Sequence, residues 1–134
     1  MELRMPTYSE IDELIRFLPK LYAEEFQVVI EPRNAISKKK CVIEISPPVY
    51  NQLVSEFFKA ASKDVWCDAE YLFKGVKEML QNPVFIEAAS LAEVQSMLTH
   101  CVRGERFCFG HWQSVIEGGQ VRLILMRLQA LRLT

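Results

Sequence analysis

Residues 90–104 read SLAEVQSMLTHCVRG, and this stretch decides the fold class. A serine hydroxyl at a helix N-cap accepts a hydrogen bond from the amide three residues on, while a glutamate at that third position reaches back to the cap. Ser90 and Glu93 are spaced for such a capping box. They predict a helix that starts at Leu91 and stops at Gly104, since a residue without Cβ suits the left-handed position after a helix end. The following stretch, GERFCFGHW (104–112), then falls at a corner between two helices.

Helical patterning continues on both sides. Beyond the Gly118-Gly119 break, a last helix from about Gln120 sets Val121, Ile124, Leu125, Leu128 and Leu131 on one side. Leu123, Met126, Ala130 and Leu133 form a second apolar stripe. A helix apolar on two faces is either deeply buried or covered by another chain, and a terminal helix favours the second arrangement. Upstream, Tyr50, Leu53, Val54, Phe57, Phe58 and Ala61 make a broad stripe from Pro47 onward, with Pro48 suited to a first turn. Asp68 is placed to cap a segment carrying Leu72, Val76, Met79 and Leu80, and Gln81-Asn82-Pro83 forces a turn before Phe85. At the start, Ile11, Leu14, Ile15 and Leu18 share a face behind Ser9 as N-cap, and Pro19 breaks that helix near Phe17 or Leu18.

Strand patterning is confined to one region. Phe26, Val28 and Ile30 alternate, as do Cys41, Ile43 and Ile45, which predicts a two-stranded hairpin between residues 26 and 46. Its loop, PRNAISKKK, reads as a solvated tip whose lysines discourage edge pairing. The fold class expected is therefore α+β, a mostly helical single domain over residues 1–134 with a two-stranded β-hairpin in the N-terminal third.

The chain has 134 residues, half of them hydrophobic and a quarter charged, enough for one core without disulfide or metal support. Residues 1–100 carry 11 basic and 15 acidic side chains, a net −4, and residues 101–134 carry 5 and 2, a net +3. A +3 segment is weak beside the footprint of a nucleic-acid binder, so nucleic acid is not the expected partner. The amino terminus lacks the apolar core of a secretory signal, and no apolar run approaches the roughly 20 residues of a membrane span. A cytoplasmic protein with reduced cysteines is expected.

Two chemical readings of the corner compete with packing. Cys101, Cys108 and His111 are the candidate ligands of a mixed thiolate–imidazole zinc site, with His100 and Cys67 as more remote donors. Only Cys108 and His111 show short ligand spacing, whereas structural zinc sites present two such pairs. Cys108 as thiolate and His111 as base are the candidate catalytic pair, but no third residue is evident to orient the base. Asp64, Asp68 and Glu70 join His111 only if distant corners meet. The packing reading takes Trp112 and Phe107 as core anchors, His111 as a hydrogen-bonding group at a turn, and Glu105 and Arg106 as capping or ion-pair residues. Packing is favoured, so neither catalytic residue nor metal nor other cofactor is assigned. The binding candidates are Leu123, Met126, Ala130 and Leu133 on the last helix, framed by Glu105, Arg106, Cys108, His111 and Trp112. The partner expected is a protein, first a second copy of the chain.

HCVRGERFCFGHW (100–112), followed by IEGG and a Leu-Arg helix, resembles a bacterial family known only as a domain of unknown function. FLPKLYAEEF (17–26) and WCD (66–68) resemble it too. The resemblance implies no established activity. Such relatives tend to carry Cys-Asp-Gly-His where this chain has Phe109 after Cys108, an exchange that a packing or recognition role tolerates better than a metal or proton-transfer role.

Overall fold

A computed structural model of the chain describes residues 5–31, 49–71 and 75–133. Helix α1 (Tyr8–Ile15) is followed by the single turn α2 (Leu18–Leu21) and the strands β1 (Val29–Glu31) and β2 (Val49–Tyr50). Then come α3 (Gln52–Ala61), a 3-10 turn (Asp64–Trp66), α4 (Val76–Leu80), α5 (Pro83–Glu87), α6 (Leu91–Phe107), α7 (His111–Glu117) and α8 (Gln120–Arg132). The mostly helical α+β expectation holds: two short antiparallel strands stand beside a helical assembly around one continuous apolar core.

The expected capping box at Ser90 and Glu93 is present, with Glu93 N donating to Ser90 Oγ at 3.1 Å and Ser90 N donating to Glu93 Oε1 at 2.8 Å. The helix it starts does not stop at Gly104 but runs on to Phe107, with Cys108 as C-cap. The reason lies across the corner: a Cβ at position 104 would collide with the His111 ring. Gly104 is a gap for a neighbouring side chain, and the left-handed residue of the corner is Gly110, φ 94°.

Helix α6 is buried from Val94 to Thr99 and again at Cys101. Its polar positions there are used. Gln95 Nε2 donates to the Val65 carbonyl at 2.6 Å, Ser96 Oγ donates to Asp68 Oδ2 at 2.6 Å, and Asp68 N donates to Thr99 Oγ1 at 2.9 Å. These bonds dock the 65–68 segment on α6, and a buried polar group so satisfied avoids a desolvation cost of about 1–3 kcal/mol. Asp68 thus ties its segment to α6 and also accepts from Glu70 N through Oδ1 at 3.0 Å, a cap-like bond at the start of the following turn, while α4 begins at Val76 behind Gly75.

Other boundaries shift for local reasons. Thr7, not Ser9, caps α1, because Thr7 and Glu10 complete a capping box of their own. Phe17 precedes α2 and Pro19 sits in its first turn, so the break falls where expected. Val49 and Tyr50 are strand residues and not the first turn of a helix, since Asn51 accepts from Leu53 N and starts α3 only at Gln52. β1 pairs with β2 in the register Val29 to Tyr50 and Glu31 to Val49, a one-residue shift that leaves Ile30 unmatched and 55% exposed. The second strand of the expected hairpin, at Cys41, Ile43 and Ile45, lies outside the described residues.

Helix α8 is central. Val121, Ile124, Leu125 and Leu128 are completely buried, and the helix packs against α1, α2, α5, α6 and α7. Being last in sequence does not place it at the periphery, because the preceding elements wrap one of its faces.

Candidate functional site

The corner between α6 and α7 is built around a carboxylate. Glu105, in the last turns of α6, accepts from Gly110 N through Oε2 at 3.0 Å and from Trp112 N through Oε1 at 2.9 Å. These are amides at the start of α7, which would otherwise lack partners, and the negative charge complements that end of the helix dipole. Gly110 supplies no side-chain cap, and Glu105 serves instead from the neighbouring helix. Its Oε1 also accepts from Tyr50 Oη at 2.8 Å, and that hydroxyl receives Gln113 N at 3.4 Å, joining β2 to the corner.

Trp112 locks the other side. Its indole Nε1 donates to the Val102 carbonyl at 3.1 Å, and its ring stacks on Phe58 with centroids 4.4 Å apart and planes 8° apart. Tyr50 contacts the same ring at 5.3 Å. Trp66, by contrast, is fully buried with no hydrogen-bond partner for Nε1 among the described residues.

His111 lies half-buried over Gly104, its ring edge-on to His100 at 5.3 Å. Burial lowers the pKa of His111, while Glu105 and the His100 backbone oppose that shift. The pKa of His100 is likewise lowered, by burial first and then by His111 and Lys77. Both imidazoles are thus biased toward the neutral form. His111 Nε2 is enclosed without a hydrogen-bond partner among the described residues, so that side of the ring packs against Gly104 and His100, while a hydrogen bond to the His100 backbone keeps the imidazole a hydrogen-bonding group at the turn.

Cys108 is exposed, and its sulfur lies 3.9 Å from the Phe109 carbonyl oxygen. Cys101 is buried in α6, where burial raises its thiol pKa to about 12. The zinc candidates Cys101, Cys108 and His111 therefore occupy three settings: core, solvent and helix interface. Among the described residues no group of three or more His, Cys, Asp and Glu side chains could hold a metal ion. Asp68 is committed to Ser96, eight residues before Gly104 and about 12 Å away along the helix. Asp64 and Glu70 are exposed. Phe107, expected as a core anchor, is 81% exposed, because α6 runs past Gly104 and carries it into solvent. Arg106 is exposed on the same final turns.

On α8 the stripe divides. Leu123 is half-buried and packs against the core, Ala130 is exposed, Met126 is 45% exposed and Leu133 is 87% exposed. No described helix is long and apolar enough to cross a membrane.

Sequence reading did not assign the buried roles of Gln95, Ser96 and Thr99, or the triple acceptor role of Glu105. The available signal was three polar residues, spaced one and three apart, inside the best-defined helix. The model of a family of unknown function, DUF6508, matches residues 6–134, and the chain belongs to that family. No curated protein and no solved structure matches it.

Proposed function

We propose that this member of a family without an assigned activity is a protein-interaction module that pairs with a second copy of itself through α8. The observation that carries the reading is the exposure of Met126 and Leu133 on a helix whose opposite face is completely buried. Leu123, Met126, Ala130 and Leu133 are spaced three, four and three residues apart, the interval of a coiled-coil seam. A seam this short falls well below the roughly 20–30 residues per side of a standard stable interface, so association is weak and concentration-dependent. The setting is cytoplasmic, where Cys67, Cys101 and Cys108 stay reduced.

The alternative, a metal-binding or Cys/His-dependent enzyme centred on Cys108 and His111, draws no support from the corner, where one sulfur faces solvent and the imidazole is wedged between helices. Sedimentation velocity over a concentration series tests the pairing. The expected result is a rising weight-average sedimentation coefficient that Met126→Glu with Leu133→Glu abolishes without lowering the unfolding midpoint. A monomer at every concentration contradicts it, and so does self-association that survives both substitutions. Leu123 is left intact because it also packs against the core.

A further inference from the structure

A cleft of about 160 Å³ opens between the C-terminal end of α3, the segment after the 3-10 turn and the α6 surface, with Ser62, Cys67, Thr99, Arg103 and Arg106 in its lining. Among the described residues no aspartate or glutamate lines it. Arg103 and Arg106 are three apart on α6 and share a face. Arg103 Nη2 donates to Cys67 Sγ at 3.1 Å and the guanidinium lies 5.4 Å from the centre of the Tyr71 ring. Sulfur and ring orient this cation without neutralising it. Among the described residues neither arginine has a carboxylate partner, whereas Arg132 and Lys63 are each paired with an acidic side chain. Two uncompensated guanidinium forks at one opening match the planar, bidentate recognition of an oxyanion. The geometry points to an anion-binding site here, taking the carboxylate or phosphate group of a small molecule and holding the rest of it beside the Cys67 thiol.

The thiol gives the site its own reporter. Iodoacetate and iodoacetamide alkylate cysteine by the same displacement: sulfur bonds to the methylene carbon, iodide leaves with the C–I electron pair, and the thiol proton goes to solvent. The reagents differ in the carboxylate of the first, which Arg103 and Arg106 hold and the neutral amide lacks. Peptide mapping by mass spectrometry reads the iodoacetate-to-iodoacetamide rate ratio at each cysteine separately, with exposed Cys108 as the internal reference.

The ratio at Cys67 is expected to exceed that at Cys108 by about tenfold, the factor a single charge-assisted contact supplies. Inorganic phosphate and acetate serve as competitors. Protection by phosphate at the lower concentration identifies a phosphate-bearing ligand and protection by acetate at the lower concentration a carboxylate, either of which supports the site, whereas protection by neither overturns it. Arg106→Met, at an exposed position, should return the ratio to the Cys108 value while leaving the unfolding midpoint unchanged. Equal ratios at Cys67 and Cys108 in the unaltered protein overturn the inference, as does a high Cys67 ratio that persists in both Arg106→Met and Arg103→Met.

Discussion

Gly104 shows how one missing methyl sets a helix pair. In a helix interior, alanine is usually more favourable than glycine by about 1 kcal/mol. Here the added Cβ would run into the Cδ2–Nε2 edge of the His111 ring, so the sign reverses. Gly104→Ala should destabilise the protein by about 1–3 kcal/mol in urea unfolding, and Gly104→Ala combined with His111→Ala should recover most of that loss. The imidazoles add a pH dependence. Their folded-state pKa values are lowered from 6.5, so as pH falls below that value the unfolded chain binds protons that the folded chain refuses. Stability is therefore fully present above pH 6.5 and declines below it. A urea midpoint lower on the acid side of 6.5 than on the alkaline side is expected, and His100→Gln with His111→Gln should flatten that difference.

At the scale of elements, the N-terminus of α7 depends on a carboxylate from α6. Glu105→Ala strands two amides and the Tyr50 hydroxyl, and should lower stability by about 2–3 kcal/mol. Tyr50→Phe removes one of the three donors and should cost about 1 kcal/mol. Both changes are read as shifts in the urea midpoint. Most helix boundaries with a local cause were legible in sequence, the Thr7 and Glu10 box behind α1 being the exception. The Ser90 and Glu93 box, the Pro19 break and the Gly118-Gly119 break depend on neighbours within four residues. The end of α6 was not legible at Gly104, because what fixes that glycine is a ring seven positions on. Tyr50 read as helical for the same reason, since its strand character comes from pairing with Val29 and its hydroxyl from Glu105.

Over the whole molecule, α8 divides apolar residues between two purposes. Val121, Ile124, Leu125 and Leu128 join five other helices, and truncating any of them to alanine should cost about 2–5 kcal/mol. Met126→Ala and Leu133→Ala, at exposed positions, should change monomer stability by less than about 0.5 kcal/mol. That contrast was half legible: two stripes could be counted in the sequence, but which one met the core depended on how α1, α5 and α6 gather around the helix. The candidate residues of 104–112 likewise separate once folded. Glu105, His111 and Trp112 face the corner, while Arg106, Phe107, Cys108 and Phe109 face solvent.

The central claim is that GERFCFGHW closes the joint between α6 and α7. Urea unfolding of Glu105→Ala beside Cys108→Ser tests it most directly. The carboxylate variant should lose about 2–3 kcal/mol and the thiol variant should stay within about 0.5 kcal/mol of the unaltered protein. A stable Glu105→Ala protein, or a Cys108→Ser protein that unfolds as readily as Glu105→Ala, would contradict it.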